Sequence, residues 1–350
     1  MTSMADSSAT LHGRRIALAL QGGGSHGAYT WGVLDRILEE ATLDIAGITG
    51  TSAGAMNAVV LADGLVRGGA EGARRNLRTF WETIGRMPGF ASFLGPMAGE
   101  TAAKVRLEYT PVYVWWDMVS RNLSPYDLNP ARFNPLRGPL ERMIDFDRLR
   151  AQDSIQIMVG ATNARTARRR VFTNPEISVD AVLASACLPQ LFPAVEIDGE
   201  PYWDGGYTGN PALAALIRKV PDCDVIISRV DPAVRDTLPR SVGDIQDRVR
   251  EISFNSAFWL EMSALSIILK LVDEGILSGE LYGGSRFHII EASLEMEKLA
   301  SSSKLNTYPA FIEYLFVLGR GAADRWLAEN GTKIGRESTL DFRQLLPIGA

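Results

Sequence analysis

The stretch IALALQGGGSHGAYTWGVL, residues 16–34, decides how this chain folds. Its first five residues are all apolar, which is typical of a buried strand. The residues from Ala28 onward place Trp31, Leu34 and Leu38 on one side of a helix. Between the strand and the helix lies a glycine loop of the pattern G-x-G-x-x-G. Such a loop can hold a phosphate, or it can direct backbone N–H groups toward a reacting carbonyl oxygen.

The composition narrows the function classes. The chain has 350 residues, of which 46% are hydrophobic and 22% charged, as in a soluble protein with a sizeable core. A formal net charge of −5 gives no indication of nucleic-acid binding. Its two cysteines, Cys187 and Cys223, form no C-x-x-C pair, so we expect buried thiols in a cytoplasmic protein, with location at the inner membrane surface left open. Because no run of 18 apolar residues is uninterrupted by charge, the sequence predicts no membrane span.

Alternating strand-like and helix-like segments predict an α/β domain over residues 14–232, preceded by a loose tail at residues 1–13. Residues 85–135 are rich in proline, glycine and aromatic residues, and we expect an insertion of loops and short helices there. Residues 233–350 are predicted to be mainly helical, with one strand, and to pack on the core.

One C-terminal helix is apolar on more than one side. It has the 4-3-4-3 spacing of a buried seam, formed by Phe258, Met262, Leu265, Leu269 and Val272. Its other faces also carry apolar residues, among them Trp259, Leu260, Ile267 and Ile268. We expect this helix to belong to the core, while a dimer interface and membrane contact remain open.

A second motif follows the next predicted strand. Gly50-Thr51-Ser52-Ala53-Gly54 is a G-x-S-x-G sequence between the strand LDIAGITG and the helix AGAMNAVVLADGL. In this context a sharp turn exposes the serine hydroxyl above the sheet, at a helix N-terminus. On its own, the motif is equally typical of an ordinary tight turn between a strand and a helix.

The two motifs together distinguish between the uses of the glycine loop. A dinucleotide site requires an acidic residue at the end of the second strand, but Asp44 lies at its start. If the two strands are neighbours, the loop and Ser52 share the carboxyl edge of the sheet. The amides around Gly23 and Gly24, with that of Ala53, can then form an oxyanion hole.

A serine nucleophile needs a base, and the sequence offers few. His12 lies in the tail, His26 in the glycine loop and His288 in a predicted strand. His288 would complete the chain order of an α/β-hydrolase triad, but that fold builds several strands before its nucleophile. Asp204 in YWDGGYTGNPA is the better candidate, although Asp-Gly is also common in plain turns. Its carboxylate would need burial, or a short bond to the serine, to act as the base.

Four motifs in this order resemble those of the patatin-like phospholipases. They are the glycine loop Gly22-Gly23-Gly24-Ser25-His26-Gly27, the serine turn Gly50–Gly54, the segment ASACLP with Ala184, Ser185 and Pro189, and Asp204-Gly205-Gly206. Many family members carry arginine or lysine where this chain has His26; this departure bears on the preference for a head group and leaves the reaction class unchanged. The similarity fades after about residue 232.

The resemblance implies a three-layer α/β/α sandwich with a mostly parallel sheet and, here, a helical C-terminal extension. It implies Ser52 as nucleophile, Asp204 as base, no histidine, and an oxyanion hole from the glycine loop, with Gly22, Gly23, Gly24 and Ala53 as its members. Gly27, Gly50, Gly54, Gly205 and Gly206 would support the motifs.

The implied activity is hydrolysis of lipid acyl esters, as a phospholipase A, lysophospholipase or esterase. It needs no cofactor and no metal, and its partner is a lipid ester or phospholipid. Peripheral membrane contact and a homo-oligomer stay open. The alternatives are acyl transfer on the same dyad, a dinucleotide-dependent oxidoreductase, and a lipid-binding protein without turnover.

Overall fold

A computed structural model describes residues 15–40, 44–87, 122–232, 238–240, 242–279, 284–299 and 301–342, with isolated positions between 110 and 119. The predicted N-terminal tail and much of the predicted insertion lie outside the described residues. The carboxyl-terminal eight residues lie outside them as well.

The centre of the fold is an eight-stranded sheet. In chain order its strands are β1 (Arg15–Leu20), β2 (Asp44–Gly50), β3 (Gln156–Asn163), β4 (Arg169–Thr173), β5 (Val195–Ile197), β6 (Glu200–Asp204), β7 (Asp224–Ser228) and β8 (Arg286–Ile290). The spatial order is β5-β6-β3-β2-β1-β7-β8, and β4 also pairs with β3. Strands β3, β2, β1, β7 and β8 run parallel, whereas β4, β5 and β6 are antiparallel to their neighbours. The mostly parallel sheet predicted from the sequence is therefore confirmed.

Helices cover both faces of the sheet. The described helices are α1 (Gly27–Glu40), α2 (Ala53–Gly85), α3 (Pro125–Leu128), α4 (Arg137–Met143), α5 (Phe146–Ala151), α6 (Val179–Ser185), α7 (Leu213–Lys219), α8 (Val242–Asp273), α9 (Leu294–Glu297) and α10 (Pro309–Asn330). Strand β1 shows how the layers arise. Its alternate residues Ile16, Leu18 and Leu20 pack into one core, with α1, α2 and α10, while Ala17 and Ala19 pack into a second core, with α7 and α8. A parallel strand buried on both sides needs such an uninterrupted apolar run.

Backbone angles that glycine adopts readily occur at a tight turn between two strands and at a kink in α2. Asp198 and Gly199 join β5 to β6 and both have positive φ angles, 53° and 78°, as a two-residue hairpin turn requires. Helix α2 extends well beyond the predicted segment, to Gly85, and passes through non-helical angles at Gly68 and Gly69. Glycine tolerates such angles at little cost, so the pair marks a kink between two helical segments.

The region after residue 232 adds directly to this sheet. Strand β8 pairs in parallel with β7, and α10 packs on α1, where the rings of Trp31 and Phe316 lie 4.0 Å apart. Within the described part of the chain, one helix is long and apolar enough to cross a bilayer by length and composition; it is the part of α8 from Asp244 to Asp273. Its residues Phe258, Met262 and Leu265 are buried in the second core, as the seam predicted.

His288 lies in the middle of β8, where its imidazole is wholly buried. Its Nε2 is 2.8 Å from Asp224 Oδ1 and its Nδ1 is 3.1 Å from the Thr339 hydroxyl. Asp224 also accepts hydrogen bonds from Arg286 and from the amide of Gly335. Hydrogen bonding to these donors outweighs burial and lowers the pKa of Asp224. The histidine therefore belongs to a network that joins β7, β8 and the C-terminal segment.

We expect His288→Ala to lower the free energy of unfolding by about 2–4 kcal/mol, since it opens a cavity and removes one buried and one partly buried hydrogen bond. Equilibrium denaturation monitored by circular dichroism measures this change. Val317→Ala, at an exposed position of α10, is the control and should stay within about 0.5 kcal/mol of the parent. An unchanged midpoint for the histidine variant would contradict a structural role.

Candidate active site

Ser52 occupies a strained turn between β2 and α2. Its backbone angles are φ 55° and ψ −123°, a combination that a residue with a Cβ rarely adopts. Such strain persists only when the surroundings enforce it, and it is typical of functional sites. The Ser52 amide donates to Ser185 Oγ at 2.9 Å, and that hydroxyl donates to the Gly160 carbonyl at 2.6 Å. The buried Ser185 thus anchors the turn to β3 and is a positioning residue, a role that its place in the sequence motif did not reveal.

Glycines make the close packing around this turn physically feasible. At each of four positions, a Cβ atom would lie closer than 3.0 Å to a neighbouring atom, so a larger residue would push the elements apart. The conflicts would be Gly22 with Ser52 Cβ at 2.8 Å, Gly27 with Ala53 Cβ at 2.7 Å, Gly50 with the Gly54 carbonyl at 2.3 Å, and Gly54 with the Leu20 carbonyl at 2.1 Å. The glycine loop therefore lies directly against the serine turn, as the two motifs together predicted.

The amide of one predicted oxyanion-hole member is already paired. Gly22 N–H donates to Asn210 Oδ1 at 2.7 Å, within a wholly buried contact. This bond removes Gly22 from the free donors, and the residue instead allows the loop to approach Ser52. No hydrogen bond from the amides of Gly23, Gly24 or Ala53 to a described residue is found. Ala53 begins α2, where the first N–H groups have no partner within the helix. These three amides are the available donors.

Asp204 reaches the same edge of the sheet by an unusual route. Strand β6 runs antiparallel to β3, and Ala161 pairs with Asp204 while Asn163 pairs with Tyr202. The strand therefore enters from beyond the carboxyl end of β3 and runs back into the sheet. Since Gly50 pairs with Val159, Asp204 lies two residues further along β3, level with the position of Ser52. The antiparallel hairpin thus delivers a carboxylate to the carboxyl edge of parallel strands.

The Asp204 carboxylate is fully buried. Desolvation raises its pKa from the usual value near 4 to about 7, although a hydrogen bond from the Gly206 amide, at 2.8 Å, and the Ser52 side chain both act to lower it. The contact with the Ser52 side chain falls short of full hydrogen-bond geometry, since Oδ2 has no such partner among the described residues. Catalytic hydrogen bonds are commonly loose before a substrate binds. The Ser52 side chain therefore lies close enough to lower the pKa of Asp204, but the two side chains do not form a hydrogen bond of full geometry.

The two glycines after Asp204 permit close contacts on both sides. A Cβ at Gly205 would lie 2.1 Å from the Gly160 carbonyl, and one at Gly206 would lie 2.2 Å from the Phe254 ring. Phe254 also packs on Tyr207, with ring centroids 4.9 Å apart. Helix α8 is therefore in direct contact with the turn that carries Asp204.

A segment late in the chain completes the site, and sequence reasoning missed it. Ser303 lies in a short 3-10 turn, Ser301–Leu305, and its hydroxyl is 2.7 Å from Nε2 of His26. His26 is therefore buried in the protein and is not a solvated loop residue. In the same turn, the Lys304 carbonyl lies against Gly24, whose φ of 58° is left-handed. No motif marks this turn, because its role depends on a contact between residues almost 280 positions apart.

The ammonium of Lys304 brings a positive charge to the site. Its Nζ forms an ion pair with the buried Asp231 at 2.6 Å. The same charge lowers the pKa of Asp204, in opposition to the larger effect of burial. It therefore favours the ionised form of the carboxylate beside Ser52.

Other predicted or considered groups lie away from this site. His288 is three strands from β2, which corresponds to about 14 Å across the sheet. Among the described residues, no group of three histidine, cysteine, aspartate or glutamate side chains is arranged to hold a metal ion.

A comparison with protein-family models agrees with the motifs. A family model described as patatin-like phospholipase matches residues 18–217. No curated protein matches the chain. Among solved structures, VipD from Legionella pneumophila has 14% identity and a TM-score of 0.39, and the match covers 90% of this chain and 67% of VipD. The type III effector protein ExoU has 13% identity and a TM-score of 0.31, with 91% of this chain and 53% of ExoU covered. This chain therefore spans about two thirds of VipD and about half of ExoU.

The family match covers more than half of the chain and contains the glycine loop, the serine turn and the Asp204 turn. The protein is thus a member of the patatin-like phospholipase family, a family of lipid acyl hydrolases.

Proposed function

We propose that the protein is a serine hydrolase of lipid carboxylic esters, of the phospholipase A, lysophospholipase or esterase type, which works through a Ser52–Asp204 dyad. One observation carries the proposal: a fully buried carboxylate with a pKa near 7 lies beside a serine held in a strained turn at a helix N-terminus. Burial supplies the basicity that an ordinary aspartate lacks. Near neutral pH such a group can both accept and return a proton.

In the first half of the reaction, Ser52 Oγ attacks the ester carbonyl carbon while its proton passes to Asp204. The carbonyl oxygen becomes an oxyanion, and the amides of Gly23, Gly24 and Ala53 are the donors available to stabilise it. One such donor typically contributes roughly a hundred- to a thousandfold in rate. The positive end of α2 favours the same negative charge. Collapse of the intermediate breaks the ester bond, and Asp204 returns the proton to the departing alcohol or lysolipid.

In the second half, the acyl group is bound to Ser52 as an ester. Asp204 takes a proton from a water molecule, whose oxygen attacks the acyl carbon. The intermediate releases the fatty acid, and the proton returns from Asp204 to Ser52 Oγ. The dyad thus ends in its starting state, with one water molecule consumed.

We expect a fluorophosphonate probe to label the purified protein, and Ser52→Ala to abolish the labelling because the attacking oxygen is gone. Asp204→Asn should reduce the labelling rate by roughly a hundred- to ten-thousandfold, since the base is lost while the shape is kept. Fluorescence on a denaturing gel measures both. Ser154→Ala, an exposed serine, is the matched control and should label like the parent.

His288→Ala should also keep its labelling in the folded fraction, because the imidazole pairs with Asp224 and lies far from Ser52. Labelling that survives in Ser52→Ala, or is lost in folded His288→Ala, would contradict the dyad.

Ester hydrolysis should depend on one ionisation near neutrality. Only the ionised Asp204 accepts the serine proton, so kcat/KM should be constant above the pKa of about 7 and fall about tenfold per pH unit below it. A profile from pH 5 to pH 9 on a neutral, soluble ester measures this. Activity that is flat down to pH 5 would mean that the base has an ordinary carboxylate pKa or is not Asp204.

Lys304→Met should move the midpoint of that profile to higher pH, since the ammonium that favours ionised Asp204 is removed. The variant also removes the ion pair between Lys304 and Asp231. Lys304→Arg keeps the positive charge, so the midpoint of its pH profile should lie close to that of the parent. A midpoint that does not move in Lys304→Met, with folding intact, would show that this charge does not act on the base.

A further inference from the structure

Helix α8 presents one face to the catalytic domain. Phe254 lies against Gly206 and Tyr207, and Phe258 is buried beneath it in the second core. The ring of Trp259 packs against that of Phe258. Two residues further along the helix, the buried Glu261 forms an ion pair with Arg169 at 2.9 Å. These contacts fix the helix next to the turn that carries Asp204.

The opposite face of α8 is exposed and apolar. We call it the outer stripe; it consists of Val242, Ile245, Val249, Ile252, Leu260 and Ile267, whose exposed fractions run from 46% to 74%. At 100° per residue these side chains fall within about a quarter of the helix circumference, over a length of about 38 Å. A row of this kind on a water-soluble domain marks an interaction surface.

The charges along α8 are divided between the two faces. Between residues 249 and 267, both acidic side chains turn inward, where Glu251 pairs with Arg248 and Glu261 with Arg169. The one charged side chain exposed in this interval is Arg250, which is positive. The outward side of this interval therefore offers no negative charge to repel an anionic head group.

Two exposed serines on the outer face are hydrogen-bonded within the helix. Ser253 Oγ donates to the Val249 carbonyl at 2.9 Å, and Ser256 Oγ donates to the Ile252 carbonyl at 2.5 Å. A hydroxyl bonded in this way loses little when it leaves water. A protein partner would gain few directional bonds from this face, whereas fluid acyl chains require none.

Burial of polar groups on the inner face argues against a membrane-spanning helix. Glu251, Asn255 and Glu261 are all at least nine-tenths buried against the protein, and Asn255 accepts a hydrogen bond from Gln21, the residue before the glycine loop. The helix cannot turn these residues toward lipid without leaving the domain. Its geometry suits a helix that lies in the plane of an interface with one face immersed.

We propose that the outer stripe of α8 docks the protein on the surface of a phospholipid bilayer, with α8 lying flat and its apolar side chains among the upper acyl chains. The assignment rests on the proposed function, since a lipid ester substrate is found in that bilayer. Because the inner face of the same helix contacts the Asp204 turn, docking brings the site to the membrane surface. Apolar contact drives the binding, and the overall charge of −5 limits any preference for anionic lipids.

The test compares two double variants with matched exposure. Leu260→Gln/Ile267→Gln alters the stripe, at side chains that are 74% and 52% exposed; Leu294→Gln/Val317→Gln alters α9 and α10, at side chains that are 70% and 57% exposed. Sedimentation with phosphatidylcholine vesicles, with and without phosphatidylglycerol, measures binding. We expect the stripe variant to bind roughly tenfold more weakly or worse, and the control to bind like the parent.

Activity separates this proposal from the proposed function. Hydrolysis of vesicle phospholipid should fall in parallel with binding in the stripe variant, while hydrolysis of a soluble short-chain ester and the melting temperature stay unchanged. If no ester is hydrolysed by the parent but vesicle binding still falls only in the stripe variant, the docking surface stands and the proposed activity fails.

Three results would overturn the docking surface: a parent that does not sediment with either vesicle, two variants that bind equally, or a stripe variant whose only change is from dimer to monomer by light scattering. The last result would assign the stripe to contact between copies of this chain.

Discussion

The left-handed turn at Ser52 is the constraint on which the rest of the site depends. A serine does not adopt φ 55° and ψ −123° unaided, so the surrounding backbone must hold it there. The glycine loop presses on it from β1, Gly54 lies against the Leu20 carbonyl, and Ser185 accepts its amide hydrogen bond. The first two contacts require the parallel neighbours β1 and β2 to end at the same level, which their register provides. The mostly parallel sheet is thus a requirement of the turn as well as its support.

Burial of Asp204 links the architecture to the proposed chemistry. A carboxylate at the exposed end of a parallel strand would be solvated and would have an ordinary pKa. The β5–β6 hairpin instead runs back into the sheet, and α8 covers Gly206 through Phe254. Desolvation then raises the pKa to about 7, while the Gly206 amide and Lys304 keep it from rising further. The balance of these opposing effects leaves a group that can exchange a proton near neutral pH. It also means that ionising this group in the folded state is unfavourable, a cost that the rest of the fold must offset.

Much of this arrangement could be predicted from the sequence because its signals are local. An apolar strand, a glycine loop and a helix follow one another within 25 residues, and the serine turn repeats that pattern. The Asp198-Gly199 turn likewise fixes the hairpin that carries Asp204. The partners of these motifs could not be predicted in the same way. Asn210 pairs with Gly22 across 188 positions, and this contact withdraws an amide that the motif alone assigned to the oxyanion hole. Only the three-dimensional packing determines which donors remain free.

The region beyond the family match is part of the same site. Ser303 contacts His26, the Lys304 carbonyl touches Gly24, and Phe254 covers Gly206, yet all three residues follow residue 217, where the match ends. These contacts fall on the glycine-rich parts of the motifs, the glycine loop and the Asp204 turn, and not on the strands. The strands would keep their register without them, since their apolar residues are buried on both faces. The conformation of the loops depends more on such contacts, because glycine-rich backbone has little intrinsic preference for one conformation. The C-terminal region of this chain therefore adds contacts to the glycine loop and to the Asp204 turn, beside those that residues of the family core make with the Ser52 turn.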